Sequence, residues 1–184
     1  VYFTPVIVSW VVASMVWFTI FHPSFGLNAH IMRFFGQPGL QLLSRSQYAL
    51  PAIIILSLWK NVGYYMILFL AGLQSIPGIY YEAAAVDGAT GFQRFRHITI
   101  PLLAPTTLFV VIISIISSFQ VFTPIFILTR GGPSGATRVL PVLIYEHAFV
   151  YLNMGYASAM AVVLFVILMV LTLLQMRFFR AESV

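Results

Sequence analysis

Only four acidic side chains occur in the 184 residues, and two of them, Glu82 and Asp87, stand close together in YYEAAAVDGATGFQRFRH. Arg94 and Arg96 follow, so carboxylates and guanidiniums crowd one segment while the flanking sequence is almost uncharged. The single lysine has the opposite setting. Lys60 lies within an apolar run, with Trp59 before it, Asn61 after it, and Tyr64 and Tyr65 about one helical turn on. An ionised group at the bilayer centre costs roughly 2.5–3.5 kcal/mol even on the lenient insertion scale, so it belongs in a polar interior with a partner or a task. Aromatic rings carrying a hydrogen-bonding group suit a sugar, whose face can stack on them. Lys60 therefore lines a solute path together with Trp59, Asn61 and Tyr64, or else bonds the carbonyls of an unwound helix or pairs with a partner subunit. Gln120, with Phe119 and Phe122 beside it, is a second path candidate of the same kind.

Other chemistries lack their groups. There is no cysteine, which removes disulfides, thiolate metal sites and cysteine nucleophiles. A P-loop needs G-x-x-x-x-G-K-[ST], and the sole lysine follows Trp59. No Asp or Glu falls within an apolar run, and His22, His30, His97 and His147 fall in connectors or at their edges. Neither a G-x-S-x-G elbow nor an H-E-x-x-H metal motif occurs, so neither catalytic residues nor metal ligands are expected.

The elements that hold these residues are set by hydropathy. With 61% hydrophobic and 7% charged residues and a mean hydropathy of +1.00, the chain is far from the soluble norm of about 25% charged. Its continuous apolar runs exclude an alternating β-barrel and specify an all-α, polytopic membrane helical bundle in contact with lipid. The net charge of +5 comes from basic residues scattered singly at span edges, which is no footprint for nucleic acid. Four spans are expected, at about 1–21, 48–72, 102–128 and 155–176. A short interfacial helix is expected within LNAHIMRFFG, and a short outer segment in PVLIYEHAF. Small residues at Gly155, Ala157, Ala159 and Ala161 suit close helix packing. The chain opens on Val1 rather than Met, with no basic region before its first run, which reads as a span and an internal start. Arginine counting does not orient the bundle: Arg94, Arg96, Arg177 and Arg180 fall on one side, Arg33, Arg45, Arg130 and Arg138 on the other.

The charged segment 75–101 has the signals of two short helices with a hinge. Ser75 is placed to cap the first, with Pro77 in its opening turn. Glu82-Ala83-Ala84-Ala85 favours helix, and Asp87-Gly88 ends it, with Gly88 free to turn left-handed. Thr90 and Gln93 form a capping box for the second helix, and Pro101 is expected to end it. The segment serves either as an interfacial hairpin or as a docking element whose alanines admit another surface.

Glu82-Ala83-Ala84, three residues, Gly88, nine residues and Ile98-Thr99-Ile100-Pro101 resemble the EAA motif of ABC importer permeases, with Ile100 where that motif has leucine. LAGLQSIPGIYYEAAAVDGA, FRHITIPLLAPT, SSFQVFTPIFILTRGGP and GYASAMAVVLF resemble the carbohydrate-uptake branch, which handles sugars and glycerol-phosphate-type solutes. The likeness runs over nearly the whole chain, as one permease domain. It implies a transporter subunit, not an enzyme, in a bacterial or archaeal inner membrane. It also implies six spans in the complete subunit, about two more than are visible. The 74–101 loop and the C-terminus would be cytoplasmic. Glu82, Ala83, Ala84, Asp87, Gly88 and Ala89 would dock on a separate ATPase, which binds ATP and Mg²⁺. A second permease chain and an extracytoplasmic solute-binding protein would be the other partners. The competing reading is an ion- or proton-coupled carrier that uses Lys60 as its switch, although a carrier has no need of a docking helix.

Overall fold

A computed structural model describes residues 2–181, and the side chains of residues 2–177. Its regular elements are all helical among the described residues. Helices are numbered α1 to α11 in chain order. Three stretches are long and apolar enough to cross a membrane: α4 (Ser46–Gln74), Ala104–Leu128, and Met154–Arg177 within α11 (Met154–Ala181). At 1.5 Å per residue, α4 extends about 43 Å, more than a hydrocarbon core of roughly 30 Å requires. Only 6% of the most apolar window of the last stretch is buried against the rest of the described residues. Arg180, expected to close this span, has its side chain outside the described residues.

The run expected as one span over 1–21 is broken. α1 (Thr4–Ile7) ends at Val8 and α2 (Trp10–Phe21) begins after Ser9, both linking residues being extended. Two local preferences explain the break. Val6, Ile7 and Val8 are β-branched and lose side-chain freedom in a helix, and Ser9 turns its hydroxyl to accept from the Val12 amide at 3.3 Å, starting a new helix. With 12 residues, α2 rises about 18 Å, short of a full crossing. The interfacial helix foreseen in the connector is α3 (Leu27–Phe34).

The third span is also interrupted. α8 (Ala104–Phe119) stops before Gln120, and α9 (Thr123–Leu128) starts after Phe122, whose backbone lies outside the helical region. Pro124 has no amide to donate and its ring would strike the Gln120 carbonyl in a continuous helix. α10 (Leu140–Tyr145) runs into a π-turn over Glu146–Val150 before α11.

The chain divides into two compact units. One contains the chain through Gly63 together with Ser117–Ile167. Its core is Ile53, Leu56, Ile125, Leu128 and Val142, with Trp10, Trp17, Val121 and Phe122 packed on it. Backbones approach closely here: a Cβ on Gly63 would lie 2.1 Å from the Tyr2 carbonyl oxygen, so only glycine admits this contact. The other unit contains Tyr64–Ile116 and the end of α11, and it carries the charged segment.

Candidate coupling loop and solute path

The loop begins one turn later than its Ser75 signal suggests. The Ser75 hydroxyl donates to the Gly72 carbonyl at 2.7 Å and so closes α4 instead of capping the next helix. α5 (Ile79–Val86) follows, with Gly78 at its N-cap and no side-chain cap. Competition decides this: Ser75 sits within reach of carbonyls that α4 leaves unpaired at its end. Glu82 lies in the first turn of α5, where the amide dipoles favour a carboxylate. Its side chain is exposed and makes no hydrogen bond or ion pair among the described residues. Ala83, Ala85 and Val86 are exposed beside it, while Ala84 is half-buried.

After α5 the chain reverses. Gly88 has φ +75°, the left-handed conformation expected of it, and the Ala89 amide returns to the Ala84 carbonyl at 2.9 Å. The capping box is formed: Thr90 Oγ1 accepts from the Gln93 amide at 3.4 Å, and Gln93 Oε1 accepts from the Thr90 amide at 2.7 Å. α6 (Gly91–Arg94) starts there. Pro101 does not stop it. A π-turn over Phe95–Thr99, in which the Ile100 amide donates to the Phe95 carbonyl, absorbs the register change around the proline. The chain continues through α7 (Ile100–Leu102) into α8.

One contact that the sequence pattern did not signal ties the two arms together. The Tyr81 hydroxyl and Thr99 Oγ1 lie 2.9 Å apart, with Thr99 buried. Nothing local marks this pair, since 18 positions separate them. Tyr81→Phe is expected to loosen the loop by about 1 kcal/mol. Faster amide hydrogen exchange over 79–94, with the membrane spans unaffected, is the expected readout.

The path candidates fall into separate groups. Lys60 is 5% exposed; its ammonium donates to the Val6 carbonyl at 3.1 Å and lies 5.3 Å from the Trp10 ring centroid. Val6 stands at the break between α1 and α2, where the missing turn leaves carbonyls without helical partners. Of the arrangements open to Lys60 on sequence grounds, the structure displays the carbonyl bond. Trp59 packs edge-on against Trp17, and Asn61 donates to the Ser57 carbonyl of its own helix at 3.0 Å. Tyr64 packs on Tyr65 in the other unit. Gln120 is exposed in the α8–α9 break, and Phe122 packs on Phe126 and Tyr145. Beyond α9, Thr137 is buried and donates to the Gly132 carbonyl at 2.7 Å. Arg138 Nε donates to Glu146 Oε2 at 3.1 Å, and this bond and the carboxylate charge raise the guanidinium pKa, holding it ionised.

Residues 1–182 match the family described as binding-protein-dependent transport system inner membrane component. The sn-glycerol-3-phosphate transport system permease protein UgpA of Brucella abortus biovar 1 is 41% identical over 175 residues, 95% of this chain and 59% of that protein. The probable ABC transporter permease protein YurN of Bacillus subtilis is 37% identical over 182 residues, 98% of this chain and 62% of that protein. A bacterial alginate ABC transporter, solved in complex with an alginate pentasaccharide-bound periplasmic protein, superposes with a TM-score of 0.89 at 26% identity, covering 99% of this chain and 64% of that one. The chain thus spans about three-fifths of the length of the curated relatives it matches.

Proposed function

The chain belongs to the binding-protein-dependent transport system inner membrane component family, and from that premise we propose that it is a transmembrane permease subunit of an ATP-driven importer for a carbohydrate or polyol-phosphate solute. The observation that carries this reading is the loop: a short helix presents an unpartnered Glu82 and exposed alanines, reverses at left-handed Gly88, and returns by a capped helix into a membrane span. Glu82, Ala83, Ala84, Asp87, Gly88 and Ala89 form the surface on which a separate ATPase docks. ATP and Mg²⁺ bind to that partner. The loop and the C-terminus face the cytoplasm, and the segment 129–153 faces outward, towards an extracytoplasmic solute-binding protein. The largely uncovered surface of α11 leaves room for a second permease chain as well as lipid.

Supporting the solute class, one relative is named for sn-glycerol-3-phosphate, and the similar solved transporter carries alginate. Of the path candidates, Gln120 and Phe122 at the α8–α9 break are the ones assigned to the path. The α8–α9 break is its best-suited element, since interrupted helices expose backbone groups only where they line a cavity or are buried in protein.

The test is uptake into proteoliposomes holding the complete transporter and its binding protein. ATP inside the vesicles is expected to drive accumulation that survives collapse of the proton gradient. Accumulation driven by a proton gradient without ATP would instead establish the carrier.

A further inference from the structure

Four aromatic rings form a ladder along α9, α10 and the π-turn that follows. Phe122 and Phe126 stack with centroids 5.2 Å apart and planes 21° apart. Tyr145 lies 5.3 Å from the first and 5.0 Å from the second. Phe149 continues the row 5.3 Å from Tyr145 and is exposed. The ladder borders a groove of about 280 Å³, lined by Phe126, Arg130, Val142, Tyr145, Glu146 and Val150. That volume falls just under the range of about 300–1,000 Å³ usual for ligand pockets, and so has room for no more than one compact molecule.

The polar groups on this groove are free to bind. Arg130 is exposed and its guanidinium has no hydrogen bond or ion pair among the described residues. The Tyr145 hydroxyl is likewise without a partner. Glu146 is neutralised by Arg138 through Oε2, which leaves Oε1 as an acceptor for a ligand hydroxyl. Arg130 also sits at φ +50°, just past the end of α9, with its amide returned to the Ile125 carbonyl at 2.8 Å. Glycine is the ordinary residue at such a position. An arginine held there against its backbone preference, with a guanidinium that makes no hydrogen bond or ion pair among the described residues, points to a task for that group. The π-turn at Glu146–Val150 is a second departure from regular helix on the same groove, of a kind often found at functional sites.

We propose that this groove is a subsite for a small sugar or polyol acid. Arg130 pairs with the phosphate or carboxylate oxygens, the aromatic ladder packs on the carbon face, and the Tyr145 hydroxyl and Glu146 Oε1 hydrogen-bond the hydroxyls. The proposal rests on the importer reading and adds to it a charge requirement on the solute.

The complete transporter in lipid nanodiscs, probed by saturation-transfer NMR with glucose 6-phosphate, glucuronate and glucose, provides the test. Wild type is expected to bind the two acids about tenfold more tightly than glucose, the scale of one charge-assisted contact. Arg130→Gln should abolish that preference without loss of assembly on size exclusion, and Arg130→Lys should restore part of it. Tyr145→Phe should weaken all three probes alike. Equal or undetectable binding of acids and glucose by wild type overturns the proposal, as does an undiminished preference in Arg130→Gln. Dissociation of the complex by Arg130→Gln also overturns it, by making Arg130 an inter-subunit contact. Failure of ATP-driven uptake in the wild-type vesicles is a separate result that removes the importer reading itself.

Discussion

Gly88→Val is expected to leave ATP hydrolysis by the assembled transporter running while solute uptake falls about 5–30-fold. The magnitude follows from the backbone. Gly88 has φ +75°, and an L-residue there costs about 1–2 kcal/mol, which shifts the population of the reversed loop by that factor. A β-branched residue is the least tolerant of this region. The interpretation is simple because a Cβ at Gly88 meets no atom within 4 Å, so the change acts on conformation and not on packing. Gly88→Asn provides the matched control, since asparagine adopts the left-handed region at lower cost, and most uptake should survive. The measurement is solute accumulated per ATP hydrolysed in proteoliposomes. Parallel loss of both activities would make Gly88 an assembly residue, and no change in either would show that the loop's reversal is not maintained in the working complex.

Lys60→Met is expected to destabilise the protein by about 2–3 kcal/mol, seen as a lower thermal midpoint in detergent. The substitution keeps an unbranched apolar stem but removes a charged donor, and a hydrogen bond to a charged group contributes about 1.5–3 kcal/mol. It leaves the Val6 carbonyl without its donor at the α1–α2 break, and it removes the contact with Trp10. Lys60→Arg should recover part of the loss, because a guanidinium can still donate there. A variant that keeps its thermal midpoint but changes the apparent affinity for solute would place the ammonium in the transport path instead, in a conformation other than this one.

The features legible in the sequence are those whose partners lie within a few residues. Thr90 and Gln93 are three positions apart and form their capping box as spaced. Gly88 requires only its own backbone, and it reverses as the Asp87-Gly88 pair suggested. Signals that compete locally were misread. Ser75 has the right type for an N-cap, but the Gly72 carbonyl three residues back is the better partner and takes its hydroxyl. Pro101 is a helix breaker by type, yet a π-turn two to six residues ahead of it accommodates the ring. The break at Val8–Ser9 was hidden because hydropathy sums over a window and is blind to a single extended pair within it. Long-range partners were not readable at all. A lysine in an apolar run declares that it needs an acceptor, but nothing in its surroundings names Val6, 54 positions away. The groove residues Arg130, Tyr145 and Glu146 were missed for the same reason: each is ordinary in its own stretch, and only folding brings them to one place. A usable signal was present in Arg130 preceding Gly131-Gly132, where a left-handed turn after a helix is expected.

On the proposed function, the continuation past Pro101 bears on how force applied at the loop would reach the span. From Gly91 to Phe119 the chain is helical except for the single turn at Leu103. A proline that ended the helix would have inserted a slack joint between the charged loop and the span, and a push on the loop would be lost in bending. Helical turns in series instead form a stiff shaft with two compliant joints, the widened turn at Phe95–Thr99 and the turn at Leu103. If an ATPase docks on the loop as proposed, a displacement there would be conveyed along this axis, and the softness of those two joints would set how much of the stroke arrives.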